Sequence, residues 1–143
     1  SASVGNFVLA WDWVGRIEDP LLKRKAEGQV WQRERDKVRS EMSNDPVTTM
    51  DKIISNQTVH KDYWIEEALT SWISRDAAAA QKWYEANWKI MPSNKSQYVA
   101  AAYAKDSIKS HDFESAEKWL TLIQDPKTKQ KVSEAINSAR AGK

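Results

Sequence analysis

Apolar residues recur at helical spacing along most of this chain, most clearly in its last third. After Asp112, one side of a predicted helix carries Ala116, Trp119, Leu120 and Ile123. Asp112 is placed to cap this helix, because its carboxylate can accept from the free backbone N–H groups of the first turn. Asp125 and Pro126 then predict the end of one helix and the start of the next, since proline is tolerated in a first turn.

The same pattern occurs near the start of the chain, 106 positions earlier. Asn6 then corresponds to Asp112 as a predicted cap, and Trp13 corresponds to Trp119. The identities at this offset continue through Phe7, Ala10, Ile17, Asp19, Pro20, Lys23 and Lys25. A third copy starts at Asp76, and a weaker fourth copy, without the tryptophan, starts at Asp45. The chain therefore reads as an array of unevenly spaced repeats.

Each repeat helix needs a partner to cover its apolar side, and the intervening segments supply four predicted partner helices. These segments are residues 21–42, 63–74, 98–108 and 127–141. All four prolines lie between the predicted helices, so no helix interior is interrupted. The pattern predicts an all-α, right-handed solenoid of about four antiparallel helical hairpins, eight helices in all.

The aromatic residues, together with the alanines of the repeats, divide into two groups in this interpretation. Residues at periodic positions are predicted to form the core between adjacent hairpins: Ala10, Trp13, Trp72, Ala80, Trp83, Ala116 and Trp119. Aromatic residues that fit the pattern less well are the predicted exposed contacts: Trp11, Trp31, Tyr84 and Trp88.

The length and the two ends of the chain bear on its organisation. A chain of 143 residues predicts a single domain, here one repeat domain spanning residues 1–143. Repeat arrays usually end in polar caps, whereas residues 7–13 are strongly apolar. We therefore expect a segment of a longer repeat protein, or a chain that self-associates through its uncapped ends.

The composition narrows the chemistry. The absence of cysteine excludes disulfides and thiolate metal sites but leaves the cellular compartment open. A net charge of +2 gives little reason to expect non-specific nucleic-acid binding. The longest apolar run is far shorter than the ~20 residues of a membrane-spanning helix. No cofactor is expected, because the four glycines are isolated and form no phosphate-binding loop.

The motif at residues 112–120 resembles the second helix of a tetratricopeptide repeat, and the motif at residues 76–83 resembles the Asp-Pro-x-x-Ala-x-x-Trp repeats of bacterial helical-repeat proteins. The resemblance implies helical hairpins that form a concave groove, which in such proteins usually binds peptides or proteins. The first-helix signature of the tetratricopeptide repeat is missing, and no binding residue of that family maps onto this chain.

A search for catalytic groups favours a non-enzymatic protein. His60 and His111 have no metal-binding spacing, and no nucleophile motif is present. The carboxylate pairs Glu66–Glu67 and Glu114–Glu117 are typical of solvated helix faces. The leading prediction is therefore a protein–protein interaction or scaffold module that binds a protein or peptide through its groove.

Two alternatives remain open. The first is a nucleic-acid-binding repeat that uses the basic helix 23–39, where Glu27, Glu34, Asp36 and Glu41 are interleaved and favour a solvated helix instead. The second is a carbohydrate-related module or enzyme, which would need two carboxylates in a cleft beside an exposed tryptophan. The candidate partner-binding residues are Arg24, Trp31, Arg35, Arg39, Tyr84 and Trp88.

Overall fold

A computed structural model describes the backbone of residues 2–58 and 60–142, and the side chains from Phe7 onward within those ranges. The described part is all-helical and contains seven helices. They are α1 (Ala2–Gly15), α2 (Pro20–Asn44), α3 (Pro46–Ile54), α4 (Trp64–Asn87), α5 (Ser93–Lys109), α6 (Phe113–Leu120) and α7 (Pro126–Ala141).

Aspartate followed by proline starts three of these helices. Asp19, Asp45 and Asp125 are the N-caps of α2, α3 and α7, and a proline occupies the first turn of each. The cap carboxylates accept from backbone N–H groups that have no partner within the helix. Asp112 caps α6 in the same way, through the backbone N–H of Ser115 at 3.1 Å, as the sequence predicts.

Helix α4 is not straight, because Asp76 inside it has an extended backbone with φ −154° and ψ 78°. Its carboxylate accepts from the N–H of Ala79 at 3.1 Å, so Asp76 acts as an internal N-cap. The rings of Trp72 and Trp83, on either side of Asp76, lie 6.1 Å apart, whereas the eleven residues that separate them would span about 16 Å in a straight helix. The two halves of α4 therefore pack against each other, and the chain reverses direction at Asp76.

The chain divides into two compact units, unit 1 at residues 1–61 and unit 2 at residues 62–143. Unit 1 contains α1, α2 and α3, with α2 contacting both others. Its buried apolar side chains are Val14, Val30, Val38, Met42, Met50 and Ile53. The buried face of α2 also includes a glutamate, Glu34.

Unit 2 has a larger apolar interior built on α5, which contacts α4, α6 and α7. The first half of α4 buries two adjacent helical rows, as its sequence predicts: Trp64, Ala68 and Trp72, and Ile65, Leu69 and Ile73. The alanines of α5 allow close approach of α6 and α7. Their shared cluster contains Ala100, Ala101, Ala104, Phe113, Ala116, Ile123, Val132 and Ile136.

Pairs of contacts give the helix directions in unit 2. Asp62 lies beside Lys95, and Glu66 further along pairs with Lys105, so the first half of α4 runs parallel to α5. Gln97 bonds the start of α7 at Asp125, and the later residue Lys105 shares a cleft with residues 128–135. Helix α7 is therefore also parallel to α5, and three helices of one direction stand side by side.

Several expectations need correction. The described residues contain seven helices where eight were expected, and α4 spans both the predicted partner helix 63–74 and the repeat helix that follows it, with the non-helical Asp76 between them. Asn6 lies inside α1 and is not its cap. Trp13 was predicted to be buried, but its side chain faces solvent and is 70% exposed. Ala10 is half-buried, whereas Trp72, Ala80, Trp83 and Ala116 are buried.

Candidate functional site

Unit 2 has a cleft bounded by its three parallel helices. Glu66 of α4 and Lys105 of α5 form one side, and α7 contributes Thr128, Lys131, Val132 and Ala135. The cleft has a volume of about 220 Å³. Pockets for drug-sized molecules are typically ~300–1,000 Å³. This cleft therefore has room for one or two side chains of a larger ligand.

The polar groups of the cleft are partly neutralised. Lys105 forms an ion pair with Glu66, which leaves the cationic Lys131 exposed on the opposite wall. Burial raises the pKa of the Tyr98 phenol on α5, and the carboxylates of Asp125, Asp62 and Glu66 raise it further. Tyr98 therefore keeps its proton at neutral pH.

Polar contacts fix one end of the three helices. The ammonium of Lys95, a buried residue, contacts Asp62 at 2.6 Å, and the amide of Asn94 donates to the same carboxylate at 3.1 Å. The side-chain carbonyl of Gln97 accepts from the backbone N–H groups of Gln124 at 3.1 Å and Asp125 at 2.7 Å. These bonds attach the starts of α4 and α7 to the start of α5, so the cleft walls are held in place.

A second, smaller cleft lies between α4 and α5. It has a volume of about 20 Å³, enough for one water molecule, and also includes Lys105. The hydroxyl of Thr70 lines it and is buried without a hydrogen-bond partner among the described atoms. The two clefts share Lys105, and we refer to them below as the groove of unit 2.

The predicted partner-binding residues lie outside this groove. Arg24, Trp31, Arg35 and Arg39 are on α2 in unit 1, and Tyr84 and Trp88 are at the end of α4 in unit 2. The structure brings two of them together, because the guanidinium of Arg35 lies 5.5 Å from the centre of the Trp31 ring.

The predicted exposed aromatic residues differ in their surroundings. Trp31 and Trp88 are 40% and 48% exposed, as the prediction requires. Tyr84 is instead half-buried, with ring contacts to Tyr103 and Trp119. Trp11 is also half-buried, and its indole N–H donates to Glu34 at 3.2 Å. Tyr84 and Trp11 are therefore less exposed than expected, and each has contacts within the chain.

Unit 1 contains a buried polar cluster that the sequence analysis missed. The two ring nitrogens of His60 lie 2.9 Å from Glu34 Oε2 and 2.9 Å from Glu41 Oε1. Glu34 is 2% exposed and His60 is 8% exposed. With the bond from Trp11 and the ring of Phe7 at 6.1 Å from that of His60, this Glu34–His60–Glu41 cluster joins α1, α2 and the segment after α3.

The hydrogen bonds of the cluster determine the charge of His60. Burial alone would lower the pKa of His60, but hydrogen bonds and attraction from Glu34 and Glu41 outweigh it and raise the pKa to about 9. The bond to His60 also lowers the pKa of Glu41, with Lys37 and Lys52 adding to the effect. Both ring nitrogens therefore donate to carboxylates, and neither has a free lone pair for proton abstraction or metal binding.

Glu34 was expected on a solvated, mixed-charge face of α2, and this interpretation is wrong. Its position in the sequence gives a signal, because it lies midway between Val30 and Val38 at four-residue spacing on the apolar face. A charged residue within an apolar row predicts a buried partner. The identity of that partner depends on the tertiary fold, which brings in a histidine 26 positions away.

The charged residues of α2 remain of mixed sign on its exposed side. Arg24, Arg33 and Arg39 are exposed, and so are Glu27 and Asp36 between them. This arrangement is typical of a solvated helix, in which opposite charges limit attraction for phosphates.

Each of the two clefts described in unit 2 has one carboxylate and no tryptophan. They therefore lack the pair of carboxylates beside an exposed tryptophan that a carbohydrate site requires. Among the described residues, no group of three or more histidine, cysteine or acidic side chains is arranged to hold a metal ion.

Comparison with known proteins adds no family. No protein-family model, curated protein or solved structure matches this chain. In the part of the chain that the structure describes, no helix combines the length and the apolar character that crossing a bilayer requires.

Proposed function

We propose that this chain is a non-catalytic protein-interaction module that binds a peptide segment of a partner protein in the groove of unit 2. The observation that supports this proposal is the cleft of about 220 Å³ between the parallel helices α4, α5 and α7. A concave site between packed helices is a common location for ligand binding.

The dimensions of the cleft favour a peptide. Val132 and Ala135 provide an apolar wall for one or two side chains, and the open groove leaves space for the peptide to continue on either side. The Lys105–Glu66 pair, Lys131 and Thr128 offer donors and acceptors for the polar backbone of an extended segment. The cleft therefore combines an apolar pocket with a polar rim.

The helix directions support a finer fold assignment. In unit 2, helices of one direction alternate with helices that return between them. We assign this arrangement to a tetratricopeptide-like solenoid of helical hairpins, of the bacterial type that the repeat motifs resemble. In this assignment the groove of unit 2 lies on the concave side of the array.

Selection from a random peptide library displayed on phage, with the full chain as bait, tests the proposed function. We expect the selected peptides to bind with micromolar dissociation constants. Ala135→Trp, which fills the cleft, should weaken them at least tenfold. Glu134→Trp is the matched control, since Glu134 is also exposed on α7 but does not line the cleft.

The outcomes separate clearly. Equal binding to the Ala135→Trp variant and the parent chain would overturn the groove as the binding site. Failure of the library to yield any specific peptide would count against a peptide-binding function altogether. Circular dichroism of both variants establishes that the helices remain folded.

A further inference from the structure

Helix α1 is apolar on two opposite sides. One side packs in unit 1 and includes the buried Val14 and the half-buried Trp11. The other side carries three large apolar side chains that face solvent: Val8 at 56%, Leu9 at 62% and Trp13 at 70% exposed. Exposed apolar side chains grouped on one side of a helix usually mark an interaction surface, and this side of α1 is such a group.

The chain itself contains a second example of the same local structure. The turn after α1 has hydrogen bonds from Arg16 N–H to the Trp13 carbonyl and from Ile17 N–H to the Val14 carbonyl. The turn after α6 has the same two bonds 106 positions later, donated by the N–H groups of Leu122 and Ile123 to the carbonyls of Trp119 and Leu120. The helix that follows each turn is capped by an aspartate, Asp19 or Asp125. Trp13 and Trp119 therefore occupy equivalent positions.

The two tryptophans differ in what covers them. The ring of Trp119 stacks on Tyr103 of α5, with centroids 5.0 Å apart and planes at 18°, and Tyr84 approaches its edge at 5.6 Å. Trp83, at the same position in the repeat that starts at Asp76, contacts Trp72 of the preceding half-helix at 6.1 Å. At both positions in unit 2, an aromatic side chain of the preceding helix covers the repeat tryptophan.

We propose that the exposed face of α1, formed by Val8, Leu9 and Trp13, docks an amphipathic helix of a partner protein that places an aromatic side chain against Trp13. The interaction imitates the packing of Tyr103 on Trp119. The ion pair between Asp12 and Arg16, 2.9 Å apart and exposed, lies among these positions on the same side of α1 and provides a polar edge. This surface belongs to unit 1 and does not depend on the peptide groove of unit 2.

The charge of α1 favours a protein helix over a lipid surface. Helices that lie on membranes combine an apolar face with a polar face rich in lysine and arginine. Within α1 the only charged residue is Asp12, and the nearest cation, Arg16, is already paired with it. A helix with an aromatic residue is therefore the occupant that this face fits.

Helix α5 supplies the probe, because it already carries the aromatic residue that covers Trp119. A synthetic peptide of residues 93–110 is titrated into the full chain labelled with ¹⁵N, and the indole N–H signal of Trp13 is assigned with a Trp13→Phe variant. We expect the Trp13 signal to shift with saturation. A Tyr103→Ser peptide should bind at least tenfold more weakly.

Two variants of the full chain complete the experiment. Trp13→Ala should abolish the response of the α1 amides, whereas Ile90→Ala, which removes an exposed apolar side chain of unit 2, should leave it unchanged. An unchanged Trp13 signal at millimolar peptide, or equal binding by the Tyr103→Ser peptide, would overturn the proposal. The proposal would also be overturned if the Trp13 signal responded to anionic lipid vesicles and not to peptide. That result would assign the exposed face of α1 to membrane binding.

Discussion

The two units of this chain stabilise their interiors by different means. Unit 1 holds α1 and the segment after α3 on α2 through the Glu34–His60–Glu41 cluster, in which charged groups are buried together. Unit 2 packs apolar side chains and alanines around α5. Paired buried charges are costly to separate and sensitive to pH, whereas apolar packing responds mainly to lost volume. The two units should therefore respond to different perturbations.

The largest expected effect is in unit 1. Glu34→Ala leaves the His60 imidazolium with one partner and the Trp11 indole N–H with none, and removing one member of a buried pair costs about 4 kcal/mol. Amide hydrogen exchange should accelerate in residues 7–58. Unchanged exchange there would show that the cluster does not stabilise unit 1, and acceleration in both units alike would show that they unfold together.

The corresponding test in unit 2 removes volume. Ile123 is 1% exposed in the cluster shared by α5, α6 and α7. Ile123→Ala should destabilise by about 3.5 kcal/mol, through lost apolar burial and the cavity that remains. The measurement is denaturant unfolding followed by circular dichroism, and Leu122→Ala is the control because Leu122 is 53% exposed. An equal effect of the two substitutions would contradict the assigned core.

The pH dependence distinguishes the two interiors most directly. The pKa of His60 is raised from 6.5 to about 9 on folding, so its contribution to stability is complete below about pH 6.5. This contribution is lost as the pH rises to about 9, so the free energy of unfolding should fall by about 3 kcal/mol in all. Unfolding measured between pH 6 and pH 9.5 should show this decrease in the parent chain.

Two substitutions serve as references for the pH series. His60→Gln should flatten the profile, and His111→Asn, which removes the other histidine, is the comparison, since asparagine tolerates the positive φ at this position. A parent profile that is flat over this range would mean that His60 is not held as an imidazolium.

The smallest effect concerns the end of α5. His111 has φ of 59°, a left-handed conformation that glycine adopts at lower cost than other residues. His111→Gly should raise the free energy of unfolding by about 1 kcal/mol, measured by thermal unfolding. Asn56 in unit 1 has φ of 61°. Asn56→Gly should raise the free energy of unfolding by less, because asparagine is already suited to this conformation. A loss of stability in His111→Gly would show that the histidine side chain makes a contact worth more than the strain.

Local signals in the sequence predict much of the fold. The Asp112 cap, the break at Asp76 and the prolines that start α2, α3 and α7 follow from short-range hydrogen bonding and backbone geometry. The buried rows of α4 follow from helical periodicity. These features depend on neighbours within a few residues, which a single sequence displays.

Features that depend on distant segments are not predicted. The repeat pattern assigns Trp13 and Trp119 the same role, but the Tyr103 that covers Trp119 belongs to a different helix, and Trp13 is exposed. In the sequence, nothing distinguishes the groove residues Glu66, Lys105 and Lys131 from other charged residues. Only the parallel packing of their helices brings them to one cleft.

The reversal at Asp76 has a consequence for the assembly state of the chain. The reversal uses one extended residue and no loop. Four alanines follow Asp76, and alanine has the highest helix propensity of all residues. Replacing Asp76 by alanine removes the side chain that interrupts the helix. The alternative structure is then a straight helix of about 36 Å, whose two halves can no longer pack against each other. Each half packs instead on a second molecule and forms a domain-swapped dimer, which light scattering would detect.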